Sequence, residues 1–169
     1  MRLIVFIVLM LTIAGCSRPD PDRFYSDEYG FSIKLPEDWA VQKGYMDSVV
    51  RAENQEYSQG KIFQETVNIV ADSLPPDMSI DEYHTSAKDL MKKTLPELIE
   101  VNSGTDIVDN REVFWFAYRY PLKPVMLKVV VYSIHGDNKI FLITCMAEEE
   151  RFKDVKPVFI ESVRSFEFQ

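Results

Sequence analysis

The sequence predicts an α+β domain: a central antiparallel β-sheet with helices on both faces, an α/β/α sandwich. Three observations lead there. Residues 112–120, 125–134 and 139–147 read as consecutive strands that are apolar on both faces, so neither face can be left to water. The links at 121–124 and 135–138 are too short for a parallel crossover, which makes these strands antiparallel neighbours. Two amphipathic helical stripes, one at 79–93 and one near the C-terminus, supply the cover that such a sheet needs.

The chain has 169 residues, 46% of them apolar and 27% charged, which suits one globular domain and excludes a disordered or multi-span chain. It opens on a basic Met1-Arg2, followed by an uncharged apolar run, Leu3 to Ala14. Twelve residues at 1.5 Å rise cover about 18 Å, short of the ~30 Å hydrocarbon core, so the run reads as a signal peptide rather than a span. Ile13-Ala14-Gly15-Cys16 resembles a bacterial lipobox. That resemblance implies a diacylglycerol thioether on the Cys16 thiol, with palmitate among the acyl chains that the lipidated cysteine carries, and cleavage between Gly15 and Cys16. It also implies a lipoprotein exported to the cell envelope. With Ser17 rather than Asp after the cysteine, it implies the periplasmic face of the outer membrane in a two-membrane bacterium, or the outer face of the plasma membrane otherwise.

The expected organisation is therefore a signal peptide at 1–15, a lipidated tether at 16–23 with two prolines and no apolar side chain, and a folded domain at 24–169. Without Arg2, Arg18, Arg23, Asp20 and Asp22, the domain holds 16 basic and 25 acidic side chains. A net charge of -9 repels polyanions, so nucleic acid is not an expected partner, and attachment to anionic membranes has to come from the lipid.

Within the domain, Phe31, Ile33 and Leu35 alternate with Ser32 and Lys34 as a strand ending at Pro36. Residues 39–41 and 48–52 are weaker strands. Residues 61–71 place Phe63, Val67, Ile69 and Ala71 on one face, and Pro75-Pro76 ends that segment. Ser79 and Glu82 form a capping box for a helix over 79–93, with Ile80, Tyr83, Ala87, Leu90 and Met91 as its apolar stripe. Asp154 is expected to cap a second helix, with Pro157 in its first turn and Val155, Phe159, Ile160 and Val163 facing the sheet. Phe166 and Phe168 suggest a closing extended piece.

The run Tyr29-Gly30-Phe31-Ser32-Ile33-Lys34-Leu35-Pro36-Glu37-Asp38-Trp39 is similar to the opening of PsbP-like domains. The segment from Val155-Lys156-Pro157 to Phe168 resembles their last helix and strand. The resemblance covers about residues 24–169. It implies the fold shared by the photosystem II subunit PsbP, DcrB-like lipoproteins and a eukaryotic Ran-binding factor. It also implies non-catalytic roles: binding, assembling or stabilising membrane complexes.

Chemistry is sparse along the chain. There is no G-x-S-x-G, H-E-x-x-H, C-x-x-C, Walker A or dinucleotide fingerprint, and no metal or cofactor is expected. His135 and Asp137 could pair as base and orienter, but a solvated turn is the plainer expectation; His84 borders the first helix's apolar face. Cys145 sits mid-strand as a small core residue. Glu148-Glu149-Glu150 suits a solvated helix N-terminus, and Glu37-Asp38 lacks the converging oxygens of a cation site. The aromatic run Phe114 to Tyr120 has only Arg111 and Arg119 near it, so it reads as core strand rather than a nucleic-acid platform, with Tyr118 and Tyr120 able to line a groove at the sheet's end. The expected function is that of a non-enzymatic, lipid-anchored envelope protein that binds a membrane-protein partner. The alternatives are a carrier of a small hydrophobic ligand, a photosystem-type extrinsic subunit if the source is photosynthetic, and a hydrolase centred on His135.

Overall fold

A computed structural model describes residues 20–56, 60–136 and 138–169. Cys16, Gly15 and Asp137 lie outside the described residues. In order, the elements are β1 (Arg23–Ser26), β2 (Phe31–Lys34), β3 (Trp39–Lys43), β4 (Val50–Asn54), β5 (Thr66–Ser73), α1 (Ile80–Thr94), β6 (Ile99–Val108), β7 (Arg111–Leu122), β8 (Val125–His135), β9 (Lys139–Glu148), α2 (Glu149–Arg164) and β10 (Glu167–Phe168).

Seven strands form one antiparallel sheet in the order β3-β4-β5-β9-β8-β7-β6. The apolar-on-both-faces pattern of β7, β8 and β9 is explained by their central place in it. Phe141, Ile143 and Cys145 of β9 join Val67 and Ile69 of β5 and Val50 of β4 on one face. Phe116 and Tyr118 of β7 and Leu127, Val129 and Val131 of β8 form a second cluster on the other. The first face is sealed by α2, through Phe152, Phe159 and Val163, and by a small sheet of order β1-β2-β10. Phe31 stacks on Phe166 there at 5.2 Å, and both are fully buried.

The second face is covered more lightly. The capping box of α1 forms as expected, with Glu82 N donating to Ser79 Oγ and Ser79 N donating to Glu82. Yet α1 buries none of its residues. Met91 meets the Phe116–Val131 cluster, His84 lies 4.8 Å from the Phe114 ring, and Leu90 of the expected stripe is 66% exposed.

Four local expectations change. The strand expected from residue 61 begins at Thr66, and Phe63 packs on the second cluster while Val67, Ile69 and Ala71 pack on the first. The helix expected to start at Asp154 starts five residues earlier, so Pro157 lies inside α2 and Asp154 is not its cap. The ten-residue β6 was not anticipated. It pairs with β7 through a two-residue turn in which Asp109 (φ 48°) and Asn110 (φ 57°) both take the left-handed conformation, as a type I′ hairpin requires. β1, at the tether's expected end, is already folded: the Arg23 guanidinium donates to Ser32 Oγ and to the Ser165 carbonyl and pairs with Glu167 at 3.1 Å.

Candidate functional site

Three places gather polar or exposed apolar groups. The first brings together the chain's two histidines, which no sequence spacing connects. His84 on α1 and His135 at the end of β8 flank Phe114. Beside His135 lies a hollow of about 350 Å³ lined also by Ser79, Asp81, Arg111 and Glu112. Among the described residues, His84 Nε2 and His135 Nδ1 have no hydrogen-bond partner. Burial lowers the pKa of both imidazoles; His135 adds to the effect on His84, and Arg111 adds to that on His135. The Ser79 hydroxyl, which lines this hollow, is committed to the Glu82 cap. His135 ends a strand and is half-buried, not in a solvated turn.

The second place is a carboxylate knot that the sequence reading missed. Glu65 is buried, paired with Lys61, bonded to Arg151 at 3.2 Å and accepting from Asn54 Nδ2 at 2.9 Å. Burial pushes its carboxyl up, but the Lys61 ammonium, with Asn54, outweighs this and holds it below its ordinary value. Glu148, expected in solvent, is 8% exposed, and its Oε1 accepts from the backbone N–H groups of Ile62 and Phe63 at 2.7 Å each. Both acids tie residues 61–65 to the start of α2. They are a structural clamp, and the drawn-in N–H groups explain why β5 does not begin at 61.

The third place is the face at which the described chain begins. Asp20 N donates to Tyr25 Oη at 2.9 Å and the Asp20 carboxylate meets Lys34 at 2.9 Å; that bond lowers the acid's pKa and raises the lysine's. A hollow of about 740 Å³ opens beside it, walled by Phe24, Leu35, Trp39, Val41 and Val158, with Glu37 and Asp38 at its rim. Trp39 meets Phe159 edge-on at 6.0 Å. Beyond β3, Gly44, Met46 and Asp47 all take positive φ, and the turn displays Met46 with 79% of its surface exposed. Lys43 lies over the Phe24 ring at 5.1 Å and Arg51 over Tyr45 at 5.3 Å.

Other expected residues fall in the interior. Cys145 is fully buried and unpaired, and burial raises its thiol pKa. Tyr118 is buried rather than groove-lining, its hydroxyl pushed up to about 12. Under the C-terminal half of α1, the gap bounded by Met91, Leu98, Phe116 and Tyr118 holds about 10 Å³, whereas the hollow beside His135 opens under its start. Among the described residues, no three His, Cys, Asp or Glu side chains converge as a metal site, and no helix is long and apolar enough to cross a membrane.

No protein-family model matches the chain, and no curated protein sequence matches it. Solved structures do. The cyanobacterial PsbP protein CyanoP from Synechocystis sp. PCC 6803 is similar with a TM-score of 0.70 at 13% identity, covering 93% of this chain and 99% of its own. LpqN of Mycobacterium tuberculosis, described as involved in cell envelope biogenesis, matches with a TM-score of 0.62 at 11% identity over 85% of this chain and 87% of its own. The Saccharomyces cerevisiae Ran-binding protein Mog1p matches at 0.52 and 11% identity over 82% and 90%. Identities this low speak for fold and not for activity. The described residues adopt a PsbP-like fold.

Proposed function

We propose that this chain is a lipid-anchored cell-envelope protein, held by acyl chains on Cys16, whose PsbP-like domain binds and helps assemble or stabilise a membrane-protein complex without catalysing a reaction. The observation that carries the binding role is β6. It is an edge strand of ten residues whose outer backbone groups face no other strand, and it exposes Ile99, Val101 and Ile107. Edges of this kind accept a strand from a partner, with main-chain hydrogen bonds giving affinity and alternate side chains giving choice. The bulge between Glu100 and Asn102 disfavours two copies pairing edge to edge.

The PsbP-like fold is compatible with such a role, and the envelope setting rests on Leu3–Cys16. In this reading α1 is the outer layer of a helix–sheet–helix sandwich, one layer tight and one loose. Its Lys88 and Lys92 clasp Glu100, so α1 braces the same edge strand that a partner would meet. The carrier alternative gains nothing from the closed gap beside Met91.

The test uses the full-length chain extracted in mild detergent. It should migrate in a complex larger than itself, and the pair Val101→Lys and Ile107→Lys should release a folded monomer. A wild-type chain that is monomeric in every mild detergent, or β6 variants that keep the complex, would refute the binding role. Cys16→Ala should give an unprocessed or soluble form; if that variant still fractionates as a mature membrane protein, the lipid anchor is refuted.

A further inference from the structure

The face from which the chain emerges has its own apolar display, and the membrane anchoring proposed above gives it an occupant. Among the described residues nine large apolar side chains are exposed, and three of them, Val41, Tyr45 and Met46, cluster in the six residues from Val41 to Met46. The turn that presents them is held in a costly backbone: Met46 and Asp47, neither a glycine, sit at φ 46° and 63°. Non-glycine residues adopt this region readily only when the surroundings hold them there, and here the product is an exposed methionine at a tip.

The chain's course says what lies opposite. On the anchoring reading, the sequence upstream of Asp20 leads to the membrane through the apolar run Leu3 to Ala14 and Cys16. Three residues separate Cys16 from Asp20, and four steps at ~3.1 Å give a reach of at most about 12 Å. Little slack follows, because Asp20 is bonded to Lys34 and Tyr25, and Pro21 lines the same hollow as Trp39 and Val41. Lys43, between Val41 and Tyr45 in the chain, reaches over Phe24, so the tip belongs to this face as well.

We propose that this N-terminal face rests on the phospholipid bilayer, with Met46, Tyr45 and Val41 entering the boundary between headgroups and acyl chains and Trp39 at headgroup level. Lys43 and Arg51, laid over aromatic rings, keep their stems on apolar surface and their charges at the level of the headgroups, the arrangement by which long basic side chains bridge an interface. Asp20 offsets Lys34, Glu53 offsets Arg51, and Glu37 and Asp38 line the hollow unoffset, so the contact is apolar in character and does not call for anionic lipid. It orients a domain that the anchor already holds. β3 and β6 are the two outer strands of the sheet, six spacings or about 29 Å apart, so this posture points the β6 edge away from the bilayer.

The inference rests on the anchoring reading, and one experiment separates them. Full-length chains carrying Met46→Cys, Leu90→Cys or Ile107→Cys are labelled with an environment-sensitive fluorophore; Cys145, fully buried, stays unlabelled. Each is reconstituted into vesicles of phosphatidylcholine alone or mixed with phosphatidylglycerol, some containing brominated acyl chains. The label at 46 should shift to the blue and be quenched by the brominated lipid, equally in both compositions, while labels at 90 and 107 stay in water. Protein that floats with the vesicles but shows position 46 as wet as position 107, or quenched only with phosphatidylglycerol present, overturns this inference and leaves the anchor standing. Protein that fails to float overturns both. Met46 is so exposed that its replacement carries no folding penalty to confuse the result.

Discussion

Replacing Glu148 tests the clamp at the start of α2. Its Oε1 takes two backbone N–H groups, from Ile62 and Phe63, at 2.7 Å each, and the residue is 8% exposed. Hydrogen bonds to a charged acceptor contribute about 1.5–3 kcal/mol each, and the exposure of Ile62 argues for the lower end, so Glu148→Ala should cost ~3 kcal/mol. Glu148→Gln keeps an oxygen that can accept both donors but removes the charge, and neutral bonds are about half as strong, so it should cost ~1.5 kcal/mol. With a urea slope of about 2 kcal/mol/M for a domain of this size, the unfolding midpoint should fall by ~1.5 M and ~0.7 M respectively. Limited proteolysis should show residues 55–65 becoming the first site of cleavage in the Ala variant, since both N–H anchors of that segment are gone. The reasoning fails if Glu148→Ala stays within about 0.5 kcal/mol of the parent, the range of an ordinary surface change. It fails equally if Gln is as damaging as Ala, because the geometry would then count for nothing.

Lowering pH should loosen α1 from the sheet before the fold as a whole is lost. His84 and His135 have folded-state pKa values below the ordinary 6.5, so the stability tied to their neutral forms is complete above pH 6.5 and falls as pH drops from there through the lowered values; amide protection factors in α1 that fall between pH 7 and 5, after correction for the intrinsic exchange rate, would show it, and an α1 equally protected across that range would contradict it. Cys145 should resist thiol reagents in the native state and react on unfolding, while Cys145→Ser, which buries a hydroxyl among Ile143, Val67 and Val130, should cost ~2 kcal/mol by urea denaturation. Gly104→Ala would place a Cβ 3.0 Å from the Trp115 ring, so the indole must shift; a changed tryptophan emission with a loss of ~1 kcal/mol is expected, and an unaltered spectrum would refute the close approach.

What the sequence revealed and what it hid divide along burial. β7, β8 and β9 were legible because their side chains are apolar on both faces, and a two-sided pattern has one meaning inside a sheet. The α1 cap was legible because Ser79 and Glu82 interact locally. β6 was not, because its alternating Ile99, Val101 and Ile107 are interrupted by Asn102, Ser103 and Gly104, and its face is not buried. The Asp109-Asn110 pair beside Arg111 was the available signal, since two adjacent residues that tolerate left-handed backbone make a hairpin turn. The start of α2 was misplaced for a different reason. Asp154 before Pro157 is a good local start signal, but Phe152 reaches the core only if the helix begins earlier. The two polar clusters could not be read at all: Glu65 with Arg151, and His84 with His135, are joined by folding alone.

The same division bears on where function can lie. Core positions answer to packing, and the gap bounded by Met91, Leu98, Phe116 and Tyr118 is closed. Groups that cost stability without serving the core are concentrated at the two outer strands of the large sheet. Beside β3 these are the left-handed Met46 and Asp47 and the exposed Val41 and Tyr45; along β6 they are a bulge and three exposed apolar side chains. A domain selected for stability alone would carry neither, since both could be replaced by polar residues without loss of packing. A membrane contact at one edge and a partner strand at the other would account for both costs. They make distinguishable demands: changing Met46 should alter orientation and leave partner binding intact, whereas changing Ile107 should do the reverse. If either substitution moved both measurements, the two edges would not be separate surfaces and the assignment of roles to them would fall.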